Sequence, residues 1–490
     1  MTQFDIEIAL LRDEFRDGLT AAGFNVASPT FASGEIDVAG VGRIDLDITI
    51  PDDFPYVPPK VRPTTGQGGR SWHRERDGHL CIYAAGDPAE PRWVTVSEFL
   101  DDVRAWFVND AADWPDDPPD LDLERYWPSG LGLVLFGDLD WNSGEALRAV
   151  GQPGHLIPQF TVSVGPISGA KKRAKRIGTR ALDIGELDAP VHDWSELVEV
   201  LPDAHVVEEL IRTRKVGLLL IRYWRAGNPG ALALRVTSTD PIELAALESA
   251  HTGRSTARLR AGHDAAALAG KSVALVGVGS VGSHVADGLA RAGVGRLTLV
   301  DGDILLPGNL VRHLLTDPRL IGEPKATALG DHLRAMPWAP TSVTDNPDSL
   351  VSVSATSKLF EDHDLVIDAT AAGRATALIL DASLALDQPA LSVCVLRDGG
   401  IVRVDRTPVA PTEAHQTPVP PPPSPTEPLR EGGCGDPVSP TPPWACVNAA
   451  TLAVAVAADL LTGRNEYGAT TEQVLVAQPD APYDVTGTRR

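Results

Sequence analysis

Cysteine is scarce: four residues in a chain of 490, too few for a disulfide framework. They are Cys81, Cys394, Cys434 and Cys446, and no two stand at the C-x-x-C spacing of a zinc site. Each is either a small buried hydrophobe or a reactive thiol. Long apolar runs are missing too. None reaches the roughly 18 residues a membrane-spanning helix needs; the longest, 449–461, falls short and contains Asp459. Positive charge is in deficit, with Lys+Arg at 43 against Asp+Glu at 66, a net charge of −23. Such a surface repels phosphates, which excludes nucleic acid and anionic membranes as electrostatic partners. The opening MTQFDIEIALLRDEF is acidic and amphipathic, unlike a signal peptide, so the expected location is cytoplasmic. The length predicts about three domains.

Phe4, Ile8, Leu11, Phe15 and Leu19 recur at helical spacing, and Gly23 ends the pattern. Residues 41–50 alternate as a strand with one buried face. PDDFPYVPPKVRP (51–63) lacks the N–H groups of a central strand. HLCIY (79–83) is a short apolar run, and 94–108 returns to helical spacing. Residues 1–128 therefore read as one α+β domain. Residues 129–250 read as an α/β linking domain with strands near 131–136, 160–164, 216–221 and 231–236 and a helix over 195–214. The basic KKRAKR (171–176) reads as a solvated loop. Residues 251–490 alternate strand and helix, which predicts a Rossmann-like, doubly wound sheet. The 13 prolines from Pro408 to Pro443 make a long crossover.

GVGSVG (277–282) follows an apolar strand and opens a helix. Gly277, Gly279 and Gly282 let the backbone approach a phosphate at the helix N-terminus. Asp301 lies 19 residues beyond Gly282 at a strand end, placed for a ribose hydroxyl. So far a nicotinamide oxidoreductase fits equally well. DGDILLPGNLVRHL (301–314) then supplies Asp303, Asn309 and Arg312, and GEPKATAL (322–329) supplies Lys325. Cations there suit a triphosphate attacked at its α-phosphate, where negative charge accumulates.

This D-x-D…N-L-x-R-[QH]…K arrangement after G-x-G-x-x-G resembles the ThiF-type adenylation domain of ubiquitin-activating enzymes and their bacterial relatives. The resemblance spans about 254–461. It implies ATP and Mg²⁺ as cofactors, with Asp301 on the ribose and Asn309, Arg312 and Lys325 on the phosphates. It also implies a homodimer in which Arg258 or Arg260 reaches the neighbouring site. The family's magnesium aspartate falls on Ala371, which leaves Asp368 as the candidate metal ligand. GGCGDP (432–437) on the Pro-rich crossover resembles the family's thioester loop and makes Cys434 the expected nucleophile. Cys446 is the runner-up, and Cys394 is expected in the core.

FPYVPPKV (54–61), GHLCI (78–82) and Trp93 before a helix resemble a ubiquitin-conjugating enzyme over about 4–110. That likeness implies that Cys81 accepts a thioester. The family's His-Pro-Asn tripeptide is missing. Eight residues before Cys81 stands His73, the candidate for oxyanion stabilisation or a proton relay; His79 is expected to be structural. The domain order resembles bacterial fusions in anti-phage operons such as the cyclic-oligonucleotide (CBASS) systems. Together these imply adenylation of a protein C-terminus, thioester formation on Cys434, transfer to Cys81 and conjugation to a target amine. The implied partners are a separate protein modifier or a nucleotidyltransferase with an activatable C-terminus. A non-catalytic assembly scaffold and a nicotinamide-dependent oxidoreductase remain the alternatives.

Overall fold

Helix Gln3–Ala21 opens the structure, a computed structural model, with a Thr2–Asp5 capping box. Residues 1, 65–70, 84–90, 115–120, 142, 144–146, 153, 164–175, 337–341, 410–412, 414, 416–438 and 490 lie outside the described residues. The chain divides into two units, Met1–His251 and Thr252–Arg490.

In the first unit only Phe15 and Leu19 of the first helix's stripe are buried. Phe15 packs on Phe54 and Phe99, ring centroids 4.8 and 5.5 Å away. Strands Asn25–Ser28, Phe31–Val38, Gly42–Thr49 and Lys60–Pro63 form an antiparallel meander. Ile44, Leu46 and Ile48 face the core, as the alternation requires. The Pro-rich segment after them is fixed from outside: Trp93 Nε1 donates to the Pro55 carbonyl at 2.6 Å. Helix Val96–Ala111 buries Phe99, Leu100, Val103, Trp106 and Phe107 against the meander. Residues 79–83 form no strand; Leu80 makes one isolated bridge to Arg74.

The expected α/β linking domain is instead a closed seven-stranded barrel. Its strands are Ser129–Phe136, Leu147–Gln152, Gln159–Ser163, Arg176–Glu186, Leu218–Arg225, Asn228–Thr239 and Ile242–His251. The long helix expected over 195–214 is two short ones, Trp194–Val200 and Ala204–Arg212. Pro202 lies between them and cannot continue a helix.

The second unit is built on one eight-stranded sheet. Its order is Ser342–Asn346, Arg296–Val300, Ser272–Val276, Leu365–Asp368, Ala390–Leu396, Ile401–Thr407, Thr470–Val474, Gly487–Arg489. The first five strands are parallel, as expected; the last three add an antiparallel extension. Helix Gly282–Ala292 packs on helix Pro443–Thr462. By length and composition alone this last helix is long and apolar enough to cross a membrane. Its Ala449, Ala453, Val456 and Ala457 lie in the core. Buried Asp459 is satisfied by the backbone N–H groups of Glu466 and Tyr467, which accounts for a carboxylate in an apolar helix.

Candidate functional site

The glycine loop carries each glycine for a different reason. Gly277 sits at φ +84°, and a Cβ there would lie 2.7 Å from Thr370 Cα. A Cβ on Gly282 would lie 1.9 Å from the Gly277 carbonyl oxygen, so that position is a packing contact. A Cβ on Gly279 would meet nothing within 4 Å, because this glycine faces an open cavity of about 550 Å³. Gly282→Ala should therefore destabilise the unit by roughly 2–4 kcal/mol. Gly279→Ala should leave the melting temperature unchanged and weaken ATP binding at least about tenfold, since a methyl group enters the space a phosphate would take. Thermal melts and ATP titrations of the two variants check both signs.

Gly277, Gly279, Asp301, Asp303, Asn309, Arg312 and Lys325 all line this one cavity, while Gly282 and Asp368 do not. Asp301 braces the loop: Oδ2 accepts from Val278 N–H at 2.7 Å and Oδ1 from Asp303 N–H at 2.9 Å. Asn309 Oδ1 accepts from Leu306 N–H at 2.9 Å, which closes the turn before Arg312. Arg312 Nη1 donates to the carbonyls of Ser439 at 3.0 Å and Thr441 at 3.4 Å. Lys325, the first residue of helix Lys325–Arg334, is buried, and its Nζ donates to Asp303 Oδ2 at 2.9 Å. Sequence reasoning missed Arg374 of helix Gly373–Leu386, a third cation on the wall.

His313 was visible only as a motif letter, yet it ties the Arg312 turn to the glycine loop. Its Nδ1 accepts from Leu315 N–H at 3.0 Å, so Nε2 carries the proton and donates to the Val278 carbonyl at 2.9 Å. Burial, helped by nearby Lys325 and His284, pushes its pKa down from 6.5 to about 4, against the opposing Val278 bond. Between those values the unfolded chain binds a proton that the folded chain refuses. Stability is therefore complete above pH 6.5 and falls as pH drops toward 4, by up to roughly 3 kcal/mol. Urea unfolding at pH 7 and pH 5 should show this slope flattened in His313→Gln.

The candidate magnesium ligand Asp368 is buried behind the wall with both oxygens engaged. Oδ1 accepts from Thr370 Oγ1 at 2.7 Å and Thr370 N–H at 3.0 Å; Oδ2 accepts from Thr376 Oγ1 at 2.6 Å. Among the described residues no cluster of three or more His, Cys, Asp or Glu side chains could hold a metal. These residues do not fit a protein-built magnesium site.

Cys394, expected in the core, is half-buried and lines the cavity, as does buried Cys446. Burial pushes the Cys394 thiol up to about 11, which keeps it protonated and a poor nucleophile. Cys434 lies outside the described residues. Arg258 and Arg260 are exposed and do not line the cavity.

In the first unit Cys81 is half-buried between two cavities of about 570 and 280 Å³. Its N–H donates to the His73 carbonyl at 2.8 Å. The His73 ring stacks on Trp114 at 3.6 Å between centroids. His79 pairs with Asp77 at 2.8 Å.

Residues 255–468 match the family described as the ThiF family. A 139-residue stretch is 33% identical to "Adenylyltransferase and sulfurtransferase uba4" of Emericella nidulans, covering 28% of each chain. A 121-residue stretch is 40% identical to the uncharacterized protein y4oA of Sinorhizobium fredii, covering 22% of this chain and 20% of that one. The chain thus spans less than a third of the length of either of these relatives. A crystal structure of E. coli MccB with ATP shows 16% identity and a TM-score of 0.35, covering 46% of this chain and 64% of that one. Residues 255–468 are thus a ThiF-family domain.

Proposed function

We propose that this chain adenylates the C-terminal carboxylate of a separate protein and passes the acyl group on through two thiols. The observation that carries this is one cavity holding the glycine loop, Asp301 and the cations Arg312, Lys325 and Arg374. A hydride-transfer site needs the loop and the ribose acid but gains nothing from three cations. A triphosphate losing pyrophosphate does, because charge builds on the transferring group and on the leaving group. The name of the uba4 relative, an adenylyltransferase, supports the same reading.

The carboxylate oxygen attacks the α-phosphorus of ATP, the bond to the β-phosphate oxygen breaks, and pyrophosphate leaves. Cys434, as thiolate, attacks the acyl-adenylate carbonyl and AMP leaves. Cys81 thiolate displaces Cys434 thiolate from the acyl group. A target amine displaces Cys81 and releases one proton. Asp301 takes the ribose, Asn309 orients the phosphate-binding turn, and Arg312 and Lys325 take the phosphates. His73 stands as the candidate oxyanion donor or relay at the Cys81 step. Magnesium enters no step here, because Asp368 does not line the cavity.

The proposed setting is cytoplasmic anti-phage defence, supported by the domain order noted above. The proposed assembly is a homodimer in which Arg258 or Arg260 completes the neighbouring cavity. Light scattering at micromolar concentration should show a dimer; a fully active monomer contradicts it. For the cofactor, titration of the full chain with ATP should show saturable binding and titration with NAD should show none. The reverse result would return the oxidoreductase reading.

A further inference from the structure

The barrel has no part in the chemistry above, yet it grips the Cys81 loop. The turn Leu123–Tyr126 is rooted in it: Leu123 and Tyr126 are fully buried in the barrel's cluster. Leu123 N–H donates to Tyr223 Oη, on strand Leu218–Arg225, at 3.2 Å. From this turn Arg125 reaches the thiol, its Nη1 donating to Cys81 Sγ at 3.8 Å. Its Nη2 donates to the Trp72 carbonyl and, at 2.6 Å, to Tyr126 Oη. Tyr126 Oη donates to the same carbonyl at 2.6 Å. The Trp72 ring stacks on Tyr223 at 6.2 Å, and the Arg225 guanidinium lies 4.6 Å from its centroid. The next residue, His73, takes the Cys81 N–H. The barrel therefore holds the loop at Trp72 and places a cation at its far end.

Other charges face the two cavities that share Cys81. Among the described residues the cations are Lys60, Arg76, Arg92 and, if protonated, His79. The acids are Glu75, Asp77 and Asp102, with Tyr83 as a further titratable group. His79 is paired with Asp77 and Arg92 with Asp102, so both are largely neutralised as local pairs. Asp122 Oδ2 pairs with Arg125 Nη1 at 3.1 Å, the same nitrogen that reaches Cys81 Sγ, so carboxylate and thiol share it. Burial works against charge on Arg125, but its bond to Tyr126 and its neighbours Asp122 and Cys81 outweigh burial and raise its pKa. Arg125 stays cationic at any pH where the thiol titrates.

We infer that Arg125 holds Cys81 as a thiolate facing its cavity, and that the barrel is the rigid mount for this cation. The inference rests on the reading of Cys81 as an acyl acceptor. At that step the Cys81 sulfur forms its bond to the acyl carbon, the donor thioester's carbon–sulfur bond breaks, and the electron pair leaves on the donor sulfur. No proton moves, provided that Cys81 is already ionised.

The test is iodoacetamide labelling of the full chain from pH 5.5 to 9, read cysteine by cysteine by peptide mass spectrometry. It needs neither nucleotide nor modifier, so its failure is separable from failure of the adenylation reading. Wild-type Cys81 should titrate below the ordinary thiol value of about 8.5. Arg125→Met should slow its labelling at pH 7 about tenfold and move the midpoint up by about one unit. Arg125→Lys, which keeps the charge but loses the guanidinium fork, should label faster than Arg125→Met. Asp122→Asn removes the competing anion and should speed labelling about two- to threefold. Superimposed profiles for Arg125→Met and wild type overturn the inference. So does Arg125→Lys as slow as Arg125→Met, or slower labelling in Asp122→Asn.

Discussion

Replacing Lys325 by alanine is expected to lower ATP–pyrophosphate exchange by roughly 10²–10³-fold, the scale of losing one preorganised electrostatic group. Two effects add. Lys325 is 8% exposed, so its charge acts across little water and is weakly screened. Its loss also leaves Asp303, whose carboxylate it holds at 2.9 Å, as an unopposed anion beside the phosphates. Arg312→Ala should cost at least about tenfold; that side chain is half-buried and shares its guanidinium with the Ser439 and Thr441 carbonyls. Asp303→Asn should cost only about two- to threefold, since Asp303 is mostly exposed and its removal leaves Lys325 charged. Exchange within about threefold of wild type in Lys325→Ala would remove this residue from the phosphate site.

The second large effect concerns the thiols, and it is all-or-none. Adenylation uses a carboxylate as nucleophile, so Cys434→Ala should retain pyrophosphate exchange and form no thioester. Cys81→Ala should retain exchange and accumulate a reducible adduct on Cys434. Conjugation to an amine should vanish in both. Cys394→Ala is a sharper control than the sequence allowed. Its thiol lines the candidate cavity but is pushed up to about 11, so the thiolate fraction at pH 7 is negligible. That variant should retain the adduct and lose about 1 kcal/mol or so of stability. Loss of the first adduct in Cys446→Ala, with Cys434→Ala intact, would move the nucleophile to the buried helix start. Conjugation by Cys81→Ala would make the first domain a binding module. Non-reducing gels with a labelled modifier read all of these.

That Gly277, Gly279, Asp301, Asp303, Asn309, Arg312 and Lys325 share one cavity was legible because they are local in sequence. Strand Ser272–Val276, the glycine loop and helix Gly282–Ala292 are consecutive, and Asp301 to Lys325 follow within one crossover. Arg374 was not legible, since it enters from helix Gly373–Leu386, beyond the contiguous motif. The antiparallel extension of the sheet hides for a different reason. Its interior carries Arg403, Thr470, Thr471 and Glu472, all buried, with Arg403 and Glu472 paired at 3.0 Å. These polar residues sit among buried Ile401, Val402, Val404 and Val474 and interrupt the apolar alternation that would mark the strands. The barrel escaped because closure depends on pairings such as Ala246 with Ser129, more than a hundred residues apart, which no local period encodes. Arg125 belongs to no local motif in the sequence. Its meaning lies in the Trp72 carbonyl and the Cys81 sulfur, 53 and 44 positions away.

The central claim is that the cavity activates a carboxylate with ATP, and ATP–pyrophosphate exchange measures that step alone. The full chain is incubated with ATP, labelled pyrophosphate and the products of neighbouring genes as candidate modifiers, each with a free or an amidated C-terminus. The expected result is label entering ATP with one free-carboxyl modifier, none with its amidated form, and a loss of about 10²-fold or more in Lys325→Ala. Exchange that is indifferent to amidation, or absent with every free carboxylate while NAD binds the same cavity, contradicts it.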